Sequence, residues 1–276
     1  MMRTTRHRTR AAAAIALLLT LAACGDDAET RPADAQAEPE EVTNTVQVAA
    51  TEYAFDVPSK VEGGVVSLEL NNEGAEHHEF AFGRLEDGAS IEDVLEAMKK
   101  SGRPEGVEDL AGVPLLSPGA SVTMTRTLDP GSYLFLCMFP TPDFTPHSAK
   151  GMHAAFEVDG DAGAEAPEAD GAIVATDDGF EVPELEAGTH TIEFLNDGSK
   201  PHEFAVYGAS EPGATVKDFE KWIGQGQKDD SPLVFPGGMQ SIEPGASILQ
   251  TITFDGGVSY RVEDFPNRLE AEFTIP

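Results

Sequence analysis

The chain has 276 residues, enough for two medium-sized domains. It carries 49 acidic residues against 18 lysines and arginines, which gives a formal net charge of −31 at pH 7. This charge argues against nucleic-acid binding, which needs a basic surface, and agrees with a well-solvated protein or with attraction to a basic partner.

The start of the chain has the features of an export signal. Several arginines precede a short apolar run that is too short to span a membrane comfortably. The run ends in Leu21-Ala-Ala-Cys24-Gly25, which resembles a bacterial lipobox, although an ordinary signal peptide with a coincidental cysteine is the alternative. We predict a lipoprotein signal peptide over residues 1–23, lipidation at Cys24, and an extracytoplasmic protein anchored to the cell membrane by this lipid.

Two segments rich in alanine, acidic residues and proline show no apolar period and divide the mature chain. Residues 24–44 have the composition of a disordered tether, and residues 159–170 have that of an acidic linker. They leave two blocks of similar length, 45–158 and 171–276, which we predict to be separate domains.

The two blocks repeat each other in sequence. The matching segments are Phe55-Asp-Val-Pro58 with Phe180-Glu-Val-Pro183, Asn72-Glu-Gly74 with Asn196-Asp-Gly198, His78-Glu-Phe80 with His202-Glu-Phe204, and Pro118-Gly-Ala-Ser121 with Pro244-Gly-Ala-Ser247. The spacing between matched segments changes little along the chain, which indicates a tandem duplication.

Each block is predicted to be mainly β. Strands bounded by turn residues are expected at 46–54, 65–71, 79–83, 121–128, 133–137 and 154–158. Ser90-Ile-Glu-Asp93 and Thr215-Val-Lys-Asp218 resemble capping boxes and predict one helix in each block, with Gly102 and Gly224 as stops. Many short strands separated by glycine and proline turns predict a sandwich.

A strand pattern ending at Cys137 runs into a proline-broken loop that carries possible metal ligands. Cys137, His147 and Met152 supply a thiolate, an imidazole and a thioether, a set that suits copper better than a hard cation. With Cys24 committed to lipid, Cys137 has no partner for an intramolecular disulfide. It is then a buried small hydrophobe, a reactive thiol or a metal ligand, and its neighbours favour the ligand.

One more histidine would complete a two-His, one-Cys site with a weak axial methionine. His77 and His78 both follow a turn upstream, and the repeat aligns His78 with His202. Strand alternation also places His78 on the apolar face, so we choose it over His77. His153 is an alternative to Met152, but it would point to the opposite side of a strand.

Residues 45–158 resemble a cupredoxin of the plastocyanin/azurin type. The resemblance rests on the Asn-x-Gly turn into His78, the Gly-x-Tyr before the cysteine strand, Cys137, His147, Gly151-Met152 and the following Phe156-Glu-Val158 strand. It implies a Greek-key sandwich with one type 1 (blue) copper centre bound by His78, Cys137, His147 and Met152. The loop between Cys137 and His147 is longer than in plastocyanins and nearer to that of copper nitrite reductases.

The second block resembles a cupredoxin without its copper site. Aligning the tyrosines of the two blocks puts Asp264 opposite Cys137, and no histidine or methionine follows it. His202 is then more simply explained as a structural residue. The predicted fold is all-β, with two tandem Greek-key cupredoxin-like sandwiches, each with one inserted helix.

The resemblance implies that the protein carries single electrons between redox partners. A partner protein is expected to dock near His147, which we expect close to the surface in an apolar patch of Met138, Phe139, Pro140, Phe144 and Pro146. A copper-storage, copper-sensing or metal-free interaction module is the alternative.

A copper oxidoreductase is the rival class, because multicopper oxidases and copper nitrite reductases also use cupredoxin repeats. Those enzymes couple their type 1 site to a second copper through a histidine beside the cysteine. Here Leu136 and Met138 flank Cys137, and the sequence has no His-x-His pair. We therefore expect an electron carrier without intrinsic catalysis.

Overall fold

The structure, a computed structural model, describes residues 43–102, 104–108 and 111–276. The predicted signal peptide, the lipidation site at Cys24 and most of the predicted tether lie outside these residues. Among the described residues, no helix is long and apolar enough to cross a membrane.

The first half of the described chain is mainly β. Its strands are Thr45–Thr51 (β1), Ala54–Asp56 (β2), Lys60–Glu62 (β3), Gly64–Asn72 (β4), His78–Leu85 (β5), Val107–Glu108 (β6), Val113–Leu116 (β7), Ser121–Leu128 (β8), Gly131–Leu136 (β9) and His153–Asp159 (β10). Its helices are Ile91–Ser101 (α1) and the single turn His147–Lys150 (α2). The second of these was not predicted.

The second half repeats this order of elements with fewer insertions. Its strands are Gly171–Thr176 (β11), Gly179–Glu181 (β12), Gly188–Asn196 (β13), His202–Ala209 (β14), Leu233–Ile242 (β15), Ser247–Phe254 (β16), Ser259–Asp264 (β17) and Leu269–Thr274 (β18), and its helix is Val216–Gly224 (α3). Each half pairs its first long strands in parallel, β1 with β4 and β11 with β13.

Both long helices begin as the sequence predicts. Ser90 caps α1 and Thr215 caps α3, and each forms a capping box with an aspartate three residues later. These boxes satisfy backbone N–H groups that have no partner inside the helix. Helix α1 ends at Gly102 in the left-handed conformation, as predicted, whereas Gly224 is the last residue of α3 and Gln225 follows as its cap.

One eight-stranded sheet crosses from the first half into the second. Its order is β12-β11-β13-β16-β8-β4-β1-β2, and the crossing is made by antiparallel pairing of β16 with β8. The remaining strands form one sheet in each half, β3-β10-β9-β5-β6 with β7 on β5, and β15-β14-β17-β18. The two blocks therefore share a sheet instead of only a linker.

A single cluster of buried side chains also runs through both halves. It includes Leu68 and Phe135 from the first half and Phe194 and Tyr260 from the second. A smaller cluster lies on the opposite face of β5 and β9, where α1 covers it with Val94. Strands β5 and β9 are thus apolar on both faces, which fixes the strand end that carries Cys137.

Candidate metal centre

A buried asparagine turn delivers His78 to the start of β5. The Asn72 side-chain amide donates to the carbonyl oxygens of Glu76 and Leu116, at 2.9 and 2.8 Å. Its own oxygen accepts from the N–H of Gly74 at 3.0 Å. Asparagine favours turns because its side chain can satisfy backbone groups in this way. His78, at the end of the turn, is fully buried.

A carboxylate from the β1–β2 turn supports the same loop. One oxygen of Glu52 accepts from the backbone N–H groups of Ala75 and Glu76, the second at 3.3 Å. A Cβ atom on Gly74 would lie 2.7 Å from this oxygen and 2.7 Å from Nε2 of His78. The close approach of carboxylate, backbone and imidazole therefore requires glycine at this position.

Cys137 directly follows β9, and the loop after it folds back onto its own beginning. The N–H of His147 donates to the carbonyl of Phe139 at 3.0 Å, and that of Ser148 donates to Cys137 at 2.7 Å. Met152 accepts from the N–H of Cys137 at 3.2 Å and donates to the carbonyl of His147 at 3.0 Å. Backbone hydrogen bonds thus hold the three predicted donors of this loop within one small unit.

The structure brings three of the predicted donors together. Nδ1 of His78 lies 3.1 Å from Nδ1 of His147, and Sγ of Cys137 lies 3.9 and 3.3 Å from these two nitrogens. Such a triangle contains a point about 2 Å from every corner, which is close to the length of a metal–imidazole bond. All three side chains are fully buried, and they form a candidate metal site.

The chemistry of these donors fits a soft or borderline metal ion. Burial lowers the pKa of both His78 and His147 to about 4, so both rings are neutral near pH 7 and have a lone pair to offer. Burial also raises the pKa of Cys137 above its ordinary value. Metal binding would therefore release the thiol proton, and two imidazoles with a thiolate are the equatorial set of blue-copper sites.

Met152 lies next to this triangle. Its side chain is fully buried, and its backbone hydrogen-bonds to Cys137 and His147 as described above. His153, the alternative ligand, begins β10 and lines an open groove beside α1. Met152 is thus buried beside the triangle, whereas His153 lines the groove, and the choice of Met152 as a ligand stays a prediction.

His77 is buried away from the donor triangle, in an aromatic cluster between the two halves. Its ring centroid lies 5.9 Å from that of Phe139, 5.8 Å from that of Phe219 and 5.5 Å from that of Trp222. Burial lowers its pKa to about 4. The structure thus gives the two adjacent histidines different surroundings, with His78 at the donor triangle and His77 at the contact with the second half.

The expectation that His147 lies near the surface is wrong, because its side chain is fully buried. The edge of Tyr53 covers the ring at 5.1 Å between centroids. Oε2 of Glu76 lies 3.0 Å from Nε2 of His147, although the two atoms are not aligned for a hydrogen bond. In the expected apolar patch, Phe139 is buried whereas Phe144 is exposed.

Glu79 is a site residue that the sequence analysis missed. Its N–H lies 3.3 Å from Sγ of Cys137, and its carboxylate accepts from the N–H of Met138 at 2.7 Å. Burial raises the pKa of this carboxyl to about 7. Glu79 therefore ties β5 to Cys137 and to Met138 after it, and its place in the repeated His-Glu-Phe motif was the available signal.

The equivalent position in the second half is filled by a hydrogen-bonded histidine–aspartate pair. Nδ1 of His202 lies 2.6 Å from Oδ2 of Asp264, and both side chains are fully buried. Asn267 donates from its backbone and its side chain to the same carboxylate, at 3.1 and 2.9 Å. Asp264 thus stands beside His202 as Cys137 stands beside His78, in agreement with the sequence alignment.

Comparison with known proteins finds no matching family model and no matching curated protein. Among solved structures, the chain is similar to dithionite-reduced auracyanin from the photosynthetic bacterium Roseiflexus castenholzii, at 25% identity over 43% of this chain and 98% of that one, with a TM-score of 0.31. A multicopper oxidase matches at 14% identity over 84% of this chain and 88% of that one, with a TM-score of 0.27. The copper nitrite reductase of Thermus scotoductus matches at 14% identity over 84% and 61%, with a TM-score of 0.24.

The expectation of a protein without catalytic activity is not kept, because the multicopper oxidase and the copper nitrite reductase above each match over 84% of this chain. That expectation rested on the residues beside Cys137, which bear on coupling to a second copper within the chain. They do not exclude catalysis at a single centre, so the class of copper oxidoreductase stays open.

Proposed function

We propose that this protein binds one type 1 copper ion and transfers single electrons. The observation that carries the proposal is the convergence of two imidazole Nδ1 atoms and one thiol sulfur within 3.9 Å of each other in a fully buried position. His78, Cys137 and His147 would hold the ion, with Met152 as the weak fourth ligand. Copper bound in this way supplies a one-electron couple between Cu(I) and Cu(II).

The chain itself holds the metal donors in fixed positions and excludes solvent from them. The Asn72 turn and the Glu52 carboxylate fix the approach of His78, while the N–H of Glu79 points at the thiol sulfur. The backbone bonds between Cys137, His147 and Met152 hold the late loop. A preformed, buried donor set limits the rearrangement between the two oxidation states, which favours rapid electron transfer.

We further propose that the two halves are tandem cupredoxin-like Greek-key domains that arose by duplication, and that a lipid on Cys24 tethers them outside the cytoplasm. The repeated element order and the repeated turn chemistry support the first part. The lipobox-like sequence supports the second, which mass spectrometry of the mature N-terminus would test. Redox-partner docking near His147 remains part of this proposal, although a partner would have to approach over Tyr53 and Glu76.

The decisive experiment is visible absorption of the protein loaded with Cu(II). A copper–thiolate bond gives an intense visible band, and Cys137→Ser should remove that band while the fold is retained, because serine offers a hard and poorly ionised oxygen. Circular dichroism of the variant provides the control for folding. A wild-type protein that binds copper without such a band would rule out a type 1 centre.

Turnover assays test whether the electron passes to a small substrate and not to a partner protein. Wild-type protein and Cys137→Ser are compared for reduction of nitrite and of oxygen with a chemical reductant. Turnover that depends on Cys137 would identify a copper oxidoreductase, whereas its absence together with a reversible one-electron response would favour transfer to a partner protein.

A further inference from the structure

The segment between Cys137 and His147 is in contact with the second half of the chain. Phe139, two residues after the thiol, is buried between His77 and Phe219, with ring centroids 5.9 and 6.3 Å away and both pairs stacked. Phe219 belongs to α3. A residue inside the ligand loop is thus packed by a helix of the other half.

The next residue of the loop is held by a hydrogen bond. Nε2 of Gln227 donates to the carbonyl oxygen of Pro140 at 2.7 Å. Gln227 adopts a positive φ of 53°, an unfavourable conformation for a residue other than glycine. Such a conformation persists only where the surroundings hold it, and here its side chain reaches the ligand loop.

The second half is itself fastened close to this contact. The N–H of Ser117 donates to the carbonyl of Phe235 at 3.0 Å, and the N–H of Phe235 donates to the Ser117 hydroxyl at 2.9 Å. The ring of Phe235 lies 4.9 Å from that of Phe219. Through Phe235, helix α3 is therefore tied to the residue that follows β7 of the first half, which limits its movement relative to the loop that it covers.

We propose that the second half is a working part of the metal centre and that Gln227 and Phe219 are positioning residues for the copper ligands. This inference rests on the proposed function. Cys137 and His147 lie at the two ends of one loop, with Sγ and Nδ1 3.3 Å apart. The backbone bond from His147 to Phe139 passes any displacement of Phe139 or Pro140 directly to a donor. The second half thus limits how far the two donors separate.

The test compares two isosteric substitutions in the full chain. Gln227→Glu keeps the shape of the side chain but removes the N–H donor facing Pro140, whereas Gln225→Glu adds the same charge at an exposed position two residues away. The first measurement is made without copper: iodoacetamide alkylation of Cys137, read on its peptide by mass spectrometry. Gln227→Glu should react at least about tenfold faster than wild type, because the partly buried carbonyl oxygen of Pro140 loses its donor. Gln225→Glu should react like wild type.

The second measurement is made with copper. Gln227→Glu should shift the visible band and the reduction potential relative to Gln225→Glu, a result that a merely stabilising contact would not give. Phe219→Leu is a milder change in the same contact and should shift the visible band and the reduction potential in the same direction as Gln227→Glu. It replaces Gln227→Glu in the test if that variant fails to fold. Unchanged alkylation and an unchanged band in both variants would overturn the inference. A wild-type protein without a blue band would instead defeat the proposed function, while the alkylation result still reports on the loop.

Discussion

The two halves of this chain share the same turn into a buried histidine, but the groups around that histidine differ. In both, a buried asparagine closes a turn into a buried histidine: Asn72 bonds to Leu116 at 2.8 Å, and Asn196 bonds to Ile242 at 2.7 Å. In the first half the histidine meets a thiol and a second imidazole. In the second half Nδ1 of the histidine meets the carboxylate of Asp264 at 2.6 Å, and its Nε2 lies 3.6 Å from the carboxylate of Asp177.

The difference between the two sites shows that a buried histidine needs a partner for its ring nitrogens. A buried polar group is costly unless it is paired, and the second half meets this requirement within the protein through Asp264 and Asn267. In the first half, Oε2 of Glu76 lies 3.0 Å from Nε2 of His147 but is not aligned for a hydrogen bond with it. The long loop of this half adds His147 and Met152, whereas the second half closes the same strand pair with a short turn after Asp264.

The largest expected effect separates the histidines that correspond in the two halves. His78→Ala should abolish the visible band and weaken copper binding by at least about 100-fold, because it removes a direct ligand. His202→Ala should leave both unchanged in the copper-loaded protein. Copper titration against a competing chelator measures the two variants. Loss of the band in the second variant would show that the sites were assigned to the wrong half.

His77→Ala is the matched control within the first half. It should retain most of the intensity of the visible band but shift its position as Phe219→Leu does, and it should lower the midpoint of urea unfolding, because His77 packs among Phe139, Phe219 and Trp222. If His77→Ala lost the band and His78→Ala retained it, the copper ligand would be His77 and not His78.

Breaking the hydrogen bond between His202 and Asp264 should give the largest loss of stability. Asp264→Ala leaves Nδ1 of His202 buried without its 2.6 Å partner and should cost about 1–3 kcal/mol of unfolding free energy. Asp178→Ala, at an exposed position of the same half, should be nearly neutral. Urea titration at pH 7 measures both, and equal midpoints would mean that the pair is not formed.

A smaller effect should depend on pH. Burial, with Asp264 and Glu263 nearby, raises the pKa of Glu203 from 4.5 to about 7. The folded state then holds this proton more tightly than the unfolded state, so stability present below pH 4.5 is lost as the pH rises to 7. Glu203→Gln should therefore match wild type at pH 4 and exceed it by about 1–2 kcal/mol at pH 8, allowing for partial exposure. A gain that is equal at both pH values would contradict this assignment.

The smallest expected effects come from the two helix caps. Ser90→Ala and Thr215→Ala should each cost about 1 kcal/mol of unfolding free energy, because both remove a capping box. Only Thr215→Ala should also speed alkylation of Cys137, since α3 contacts the ligand loop. Similar alkylation rates of Cys137 in the two variants would show that the second half does not restrict the ligand loop.

Local patterns predicted much of this arrangement. Alternation gave β8 its bounds, the capping boxes gave the starts of α1 and α3, and the repeat selected His78 over His77. The pairing of β8 with β16 could not be predicted, because a strand pattern shows which face is buried but not which strand lies beside it. The burial of His147 was missed for the same reason, since Tyr53 and Glu76 reach it from distant turns.

The shared eight-stranded sheet has a consequence for how the protein folds. Until β16 arrives, β8 is an open edge whose backbone N–H and C=O groups could pair with another chain. The first half is synthesised first, so the order of translation leaves this edge uncovered while the rest of the chain is completed. Pairing between strands so distant in sequence is also slow. By pairing β16 with β8, the second half covers this edge and limits aggregation. Truncation before β11 should therefore lower the soluble yield even though every proposed copper ligand is retained.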